Sequence, residues 1–284
     1  MKIFQIYYDE ASRNELDPGF IPLDNIRNER PDWYEFWVIR NYFNTQVLDP
    51  NAWYGFLSPK FKLKTELDSK FVLTALSNLS SNFEVALFTH SPDVLAIHQN
   101  MFEQGEYAHP GLLRASQGFL DATYYKVELQ SLVTNLETSV YSNYIVAKAK
   151  FWNEWLRLAN LFFEYAEIRH DAKNAEIDRN LIMQNASHMD KQIAMKVFVQ
   201  ERLASIVLSQ NKYVTFVPEH IRQFMVYTMP GRQFLLTFDE LKSTCIKTGD
   251  RRFLQKFLEL RTEILPPDRN KILKRMMGHS VDPT

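Results

Sequence analysis

The sequence predicts an α/β protein, a sheet sandwiched between helices and followed by a helical extension. Three observations carry this. Short aromatic and β-branched runs alternate with helical patterns along residues 1–218. The run Glu84-Val85-Ala86-Leu87-Phe88-Thr89-His90 has a continuous apolar centre rather than an alternating one, as expected of a strand with helices on both faces. After Pro218 the pattern is helical and basic.

Taken in order, Ile3 to Tyr8 is short, β-rich and delivers its carboxyl end to the acidic pair Asp9-Glu10. The polar stretch to Arg30 carries turn signals at Asp17-Pro18-Gly19 and Asp24-Asn25. A helix is expected from Pro31, because Pro suits a first helical turn and Asp32 and Glu35 suit its positive dipole end. Trp33, Phe36, Trp37, Arg40 and Phe43 then repeat at helical spacing. Trp53 to Leu57 reads as a strand, and Ser58-Pro59 as a turn. Asp68 to Leu79 reads as a helix with Phe71, Val72, Ala75, Leu76 and Leu79 on one side. The strand 84–90 follows, then a helix over 92–102, a break at Pro110-Gly111 and a strand at Tyr144 to Ala147. Phe151, Trp152, Trp155, Leu158, Ala159, Phe162 and Phe163 trace a strongly amphipathic helix. A helix over 191–210 and a last strand at Tyr213 to Val217 complete the first unit. These boundaries give two units, 1–218 and 219–284. Within the second, residues 242–275 hold ten Lys or Arg (242, 247, 251, 252, 256, 261, 269, 271, 274 and 275) against Asp250, Glu259, Glu263 and Asp268.

Composition excludes several functions. With 284 residues and 45% hydrophobic content a sizeable core is available, and a net charge of −1 gives no case for nucleic-acid binding. One cysteine, Cys245, rules out an intramolecular disulfide or a cysteine zinc cluster and fits a reducing compartment. The amino-terminal apolar run meets Asp9 too early for a signal peptide, and no stretch approaches the ~18 apolar residues of a membrane span. The expectation is a soluble cytoplasmic protein. No glycine-rich phosphate loop, GxSxG elbow or HExxH motif occurs, and the seven histidines show no metal-ligand spacing.

Open α/β sheets bind ligands at the carboxyl ends of their strands. That rule selects Asp9, Ser58 to Lys64, His90 to Asp93, and Pro218 to His220. Lys60, Lys62 and Lys64 occupy alternate positions, which on a strand places three ammonium groups on one side. They are either the solvated face of an edge strand or part of a groove that balances phosphate charge. His90-Ser91-Pro92-Asp93 is either a helix start or a donor and metal site, with Asp93 the candidate ligand for Mn²⁺ or Mg²⁺. Asp24, Asn25 and Arg27 mix acid, amide and guanidinium in one loop, which is turn chemistry or contact with a polyhydroxylated ligand. Glu201 falls on a helical wheel among Ala194, Val197, Phe198, Ala204 and Leu208, where a carboxylate needs a partner or a function. Ser142-Asn143-Tyr144 precedes a strand and the Trp152/Trp155 helix, whose tryptophans read as core.

Three segments in order, "NERPDWYEFWVIRNYF" with "YGFLSPKF", "SNYIVAKAKFWNEWLRLANLFFEYAE" and "FVQERLASIVLS", resemble the glycosyltransferase-like proteins of bacterial capsule and lipopolysaccharide clusters. The resemblance spans about residues 2 to 218. It implies a GT-A-like central mixed sheet flanked by helices, to which the helical C-terminal extension read from the pattern after Pro218 is added. It also implies a nucleotide-sugar donor and a saccharide or lipid-linked acceptor. By that likeness Asp24 and Glu201 are catalytic candidates. Donor-binding candidates, from likeness and strand ends together, are Tyr8, Asn25, Arg27, Tyr54, Lys60, Lys64, His90, Asp93, Asn143 and Arg202, with Glu35 a further site candidate. The chain departs from the family in reading Tyr-Gly-Phe-Leu-Ser-Pro at the tyrosine motif and in lacking Asp-x-Asp after Phe88. The basic C-terminal segment is either a solvated helical cap or a peripheral contact with an anionic inner membrane. The alternative to an enzyme is a non-catalytic carbohydrate- or nucleotide-binding protein, or an interaction subunit, of a polysaccharide assembly complex.

Overall fold

The computed structural model describes residues 1–167, 182, 184–188, 191–221 and 233–278. Its elements are β1 (Lys2–Tyr7), α1 (Glu10–Asn14), β2 (Ile21–Asp24), a 3₁₀ turn (Pro31–Trp33), α2 (Glu35–Thr45), β3 (Trp53–Leu57), α3 (Phe61–Thr65) and α4 (Ser69–Asn78). Next come β4 (Val85–Leu87), α5 (Pro92–Ile97), α6 (Met101–Ala108), α7 (Leu112–Asp121), β5 (Ile145–Lys148) and α8 (Ala149–Glu167). The rest comprises β6 (Asn185–His188), β7 (Lys191–Ala194), α9 (Met195–Gln200), α10 (Leu203–Gln210), β8 (Thr215–Phe216), α11 (Gln233–Thr248), α12 (Arg251–Ile264) and α13 (Pro267–Met276).

Six strands form a mixed sheet in the order β2-β1-β3-β5-β4-β8. β5 runs antiparallel to β3 and β4, and the other pairings are parallel. The chain is thus α/β with helices on both faces of a mixed sheet, as the alternating pattern predicts. Strand alternation explains the two faces. Tyr54 and Phe56 of β3 join Phe4, Ile6, Val85 and Leu87 in a core shared with Phe36 of α2 and Trp152 and Trp155 of α8. Trp53 and Leu57 point the other way, into a core with Ile3, Ala86, Phe88 and Val72 and Leu76 of α4. Trp152 stacks on Phe43 with ring centroids 4.7 Å apart and donates its indole N–H to the Tyr54 carbonyl at 2.9 Å. Trp152→Ala should therefore lower the unfolding free energy by about 3–5 kcal/mol in denaturant titration. The two sheet edges are modest: β2 contains Pro22, and β8 has two residues.

Four local expectations are corrected. The helix from Pro31 is interrupted at Tyr34, whose φ of 51° and ψ of −134° separate the 3₁₀ turn from α2. The lysine stretch after β3 is a helical turn, α3, rather than a strand. The helix over 92–102 divides into α5 and α6, because Asn100 caps a new start by accepting from the Phe102 and Glu103 amides. The helix over 191–210 begins as strand β7, paired with β6, and breaks again between α9 and α10.

The C-terminal helices share a third core with the first unit. Leu235, Phe238, Leu254 and Phe257 pack with Leu95, Ala96, Met101, Val133 and Leu136. A buried ion pair ties them: Arg261 Nη1 meets Glu103 Oε2 at 2.8 Å, with both side chains fully enclosed. No helix among the described residues is long and apolar enough to cross a membrane.

Candidate functional site

The carboxyl ends of β1, β3 and β4 and the start of antiparallel β5 open onto one edge of the sheet. From β3 the chain passes through Ser58 into α3. Lys60 and Lys64 lie four residues apart and so share a side of that turn, and both act electrostatically on Glu35. Lys62 turns away and acts on Asp17. The alternate spacing therefore does not put three lysines on one side; helical geometry selects two.

Glu35 opens α2 and is half-buried. Burial pushes its carboxyl up to about 7, the Glu201 carboxylate adds to the rise, and Lys64 and Lys60 oppose it. The segment that delivers Glu35 is firmly held. Arg30 Nη2 donates to Glu167 Oε1 at 2.8 Å, Trp33 Nε1 donates to the same oxygen at 2.9 Å, and Lys196 pairs with Asp32. Arg30 and Lys196 hold the Asp32 carboxyl down to about 2 against the opposing effect of burial.

From β4, His90 enters between two hydroxyls: Nδ1 is 2.9 Å from Ser91 Oγ and Nε2 is 3.2 Å from Ser142 Oγ. Its ring stacks on Tyr141, with centroids 5.3 Å apart. Burial, and then the Lys64 ammonium, lower its basicity to a pKa of about 4, so the imidazole is neutral at physiological pH. Ser142 Oγ also accepts from Lys64 Nζ at 3.0 Å. Tyr144 closes the cluster, its hydroxyl 2.8 Å from Ser58 Oγ. Burial raises the Tyr144 and Tyr141 phenols, with carboxylates contributing: Glu35 and Glu201 at Tyr144, Asp93 and Glu201 at Tyr141. Tyr8, exposed at the end of β1, feels Asp9 and Glu35.

The backbone here departs from common conformations. Of the five non-glycine residues with positive φ among the described residues, Tyr34, Ser91, Ser142 and Asn143 lie in the segments that carry this cluster. Such conformations persist where surrounding structure fixes them, and they concentrate at functional sites. Asn143 is buried, and its Oδ1 has no hydrogen-bond partner among the described residues.

The structure therefore brings together Tyr8, Lys60, Lys64, His90, Asp93, Asn143 and Glu201 of the sequence-selected residues, with Asp93 at the margin beside Tyr141. Glu201 does not sit on a continuous apolar helix face. It ends α9 at the break before α10 and is half-buried, because the wheel that placed it among apolar residues does not run through 191–210. Asp24, Asn25 and Arg27 occupy the loop after edge strand β2. Asp24 Oδ1 accepts from the Ile26 amide at 2.8 Å and meets Tyr7, the Asn25 amide donates to the Tyr7 carbonyl at 2.8 Å, and Arg27 is exposed. Tyr54 lies at the amino-terminal end of β3, opposite Lys2 in register, with its hydroxyl accepting from the Asp49 amide. Arg202 is consumed internally, donating to the carbonyls of Met101 and Phe198 and to Gln104 Oε1. A Cβ on Gly105 would come within 2.6 Å of its guanidinium, so that glycine makes room for it.

No group of three His, Cys, Asp or Glu side chains suited to a metal occurs among the described residues, and both His90 nitrogens already meet hydroxyls. Ser58, Ser91, Ser142 and Tyr141 are not singled out by the sequence, whereas Glu35, a candidate by likeness, does join this cluster. The available signal was the strand-end rule extended to the start of an antiparallel strand. No family model, curated protein or solved structure matches the chain.

Proposed function

We propose that the chain is a GT-A-like glycosyltransferase, moving a sugar from a nucleotide-sugar donor to a saccharide or lipid-linked acceptor of surface-polysaccharide assembly. The observation that carries this reading is the polar cluster at the carboxyl ends of the strands, where Lys64 donates to Ser142 Oγ, His90 meets Ser142 and Ser91, and half-buried Glu35 feels Glu201, Lys64 and Lys60. Lys60 and Lys64 would offset the donor diphosphate, with Ser142 fixing the direction of Lys64. Glu35, with a pKa of about 7, suits a general base. It would take the acceptor hydroxyl proton as the new C–O bond forms, the sugar–phosphate bond breaks and the nucleoside diphosphate leaves. Glu201 would orient that hydroxyl. The mixed sheet with helices on both faces supports the GT-A-like part of the reading.

The test is a thermal-shift screen against UDP-, GDP-, CMP- and dTDP-linked sugars, with and without Mn²⁺. A ligand at 100-fold its dissociation constant should stabilise by about 2.7 kcal/mol. A flat screen removes the donor reading. With the donor identified, Lys60→Ala and Lys64→Ala should each raise its dissociation constant by roughly tenfold, since a hydrogen bond to a charged group contributes about 1.5–3 kcal/mol. Unchanged binding in both variants would place the diphosphate elsewhere.

A non-catalytic binding protein is the second reading, favoured by the missing Asp-x-Asp pattern after β4. Retained donor binding without turnover would identify it. Leu254 and Phe257 of α12 are buried in the third core, so a membrane contact of that helix would draw on its charges and on the partly buried Phe253, Leu258, Leu260 and Ile264.

A further inference from the structure

Two segments carry half of the candidate site into place. Residues 88–98 run from β4 through His90 and Ser91 into α5, and residues 134–144 lead through Tyr141, Ser142 and Asn143 into β5. Neither is well supported by its own local structure. α5 has only six residues, and Ser91 at its start is left-handed and makes no side-chain cap. The stretch from 134 to 144 contains no helix or strand.

Both segments are gripped from behind by one face of α11. Asp239, Lys242 and Ser243 are spaced i, i+3, i+4 and so lie together on that helix. Lys242 Nζ, fully enclosed, donates to the carbonyls of Leu95 at 2.6 Å and His98 at 2.8 Å, the carboxyl end of α5. A cation at that end satisfies orphan carbonyls and complements the helix dipole. Arg261 Nη1 of α12 takes the neighbouring Ile97 carbonyl at 3.2 Å. One residue from Lys242, Ser243 Oγ accepts from Asn135 Nδ2 at 2.7 Å, and Asp239 Oδ1 accepts from the Leu136 amide at 2.8 Å. The two gripped segments are also joined to each other through the Tyr141 amide on Thr89 Oγ1 at 3.1 Å, and the Thr134 amide donates to the carbonyl of Gln99, just past the first segment, at 3.0 Å.

We infer that Asp239, Lys242 and Ser243 are positioning residues: α11 sets the His90–Ser91 and Tyr141–Asn143 turns, so that ligand binding at the sheet edge depends on the C-terminal helices. The structural part of this inference stands alone; the ligand part rests on the nucleotide-sugar reading above. Glu35 and Glu201 lie on neither gripped segment. Loss of the grip should therefore disturb Lys64, Ser142 and His90 more than the carboxylates.

The experiment is amide hydrogen exchange on full-length Lys242→Met beside the parent chain, followed by donor kinetics. Exchange at 94–98 and 139–144 should quicken by tenfold or more, with β1 and β3 amides unchanged. KM for the donor found in the screen should rise severalfold, with kcat within about twofold, since ground-state contacts are lost and the proton-accepting group is not. If Lys242→Met fails to fold, Ser243→Ala and Asp239→Asn carry the same test with smaller changes. Unaltered exchange in both segments, or a uniform rise that includes β1, overturns the inference. Altered exchange with unchanged KM overturns its ligand part. A parent chain that binds no nucleotide-sugar removes the functional reading instead, and the exchange pattern still decides the grip.

Discussion

Arg261→Met is expected to lower the unfolding free energy by about 3–5 kcal/mol. For a chain of this size that is a fall in Tm of roughly 5–10 °C. The cause is the Glu103 carboxylate, fully enclosed and left without its cation once Arg261 Nη1, at 2.8 and 3.0 Å from its two oxygens, is removed. Glu103 keeps the Gln99 amide, which donates to Oε2 at 2.6 Å, but one neutral donor does not balance a buried charge. The double variant Glu103→Gln/Arg261→Met should recover more than half of the loss, because it removes the unpaired charge while keeping the volume. Additive losses in the double variant, read by calorimetry, would show that packing rather than charge sets the effect.

Glu35→Gln should move activity and stability in opposite directions. Turnover should fall by about 10²–10⁴-fold if Glu35 is the general base. Stability should rise, and the sign of its pH dependence follows from linkage. The folded pKa, about 7, lies above the ordinary value of 4.5, so the folded chain binds the proton more tightly than the unfolded one. That contribution is fully present below pH 4.5 and is lost as pH climbs through about 7. Above pH 7 the ionised Glu35 faces Glu201 in a partly enclosed site, and glutamine there should be more stable by on the order of 2–3 kcal/mol. Urea titrations of both proteins at pH 5 and pH 8 would show it: a gap that widens at pH 8 supports the carboxylate pair. An equal gap at both values would mean that Glu35 is not strained by its surroundings.

The sheet was legible because its signals are local. Continuous apolar strands such as Val85 to Leu87 and the Trp152/Trp155 stripe state their own burial. The strand-end rule then found His90, Lys60 and Lys64 without any coordinates. The errors arose where two periods compete within a few residues. Lys60, Lys62 and Lys64 alternate as a strand would, yet the turn at Ser58-Pro59 leads into a helix, and only its period separates Lys62 from the other two. Residues 191–194 carry no signal that they pair with 185–188, so a strand and two helices read as one helix, and a single wheel does not describe the position of Glu201 at the end of the first of them. The partnership of Glu35 with Glu201 joins residues 166 positions apart and is invisible to any local pattern. Tyr54, a candidate by likeness, stands in register with Lys2 at the amino-terminal end of its strand, away from the cluster.

The modest edges of the sheet also bear on how the folded chain behaves in a crowd of its own copies. A second molecule adding a strand beside β2 would meet Pro22, which has no amide hydrogen to offer, and beside β8 it would find only Thr215 and Phe216 to pair with. Growth by strand addition, the route from a native sheet to a fibril, therefore starts poorly from either side of the six-stranded sheet.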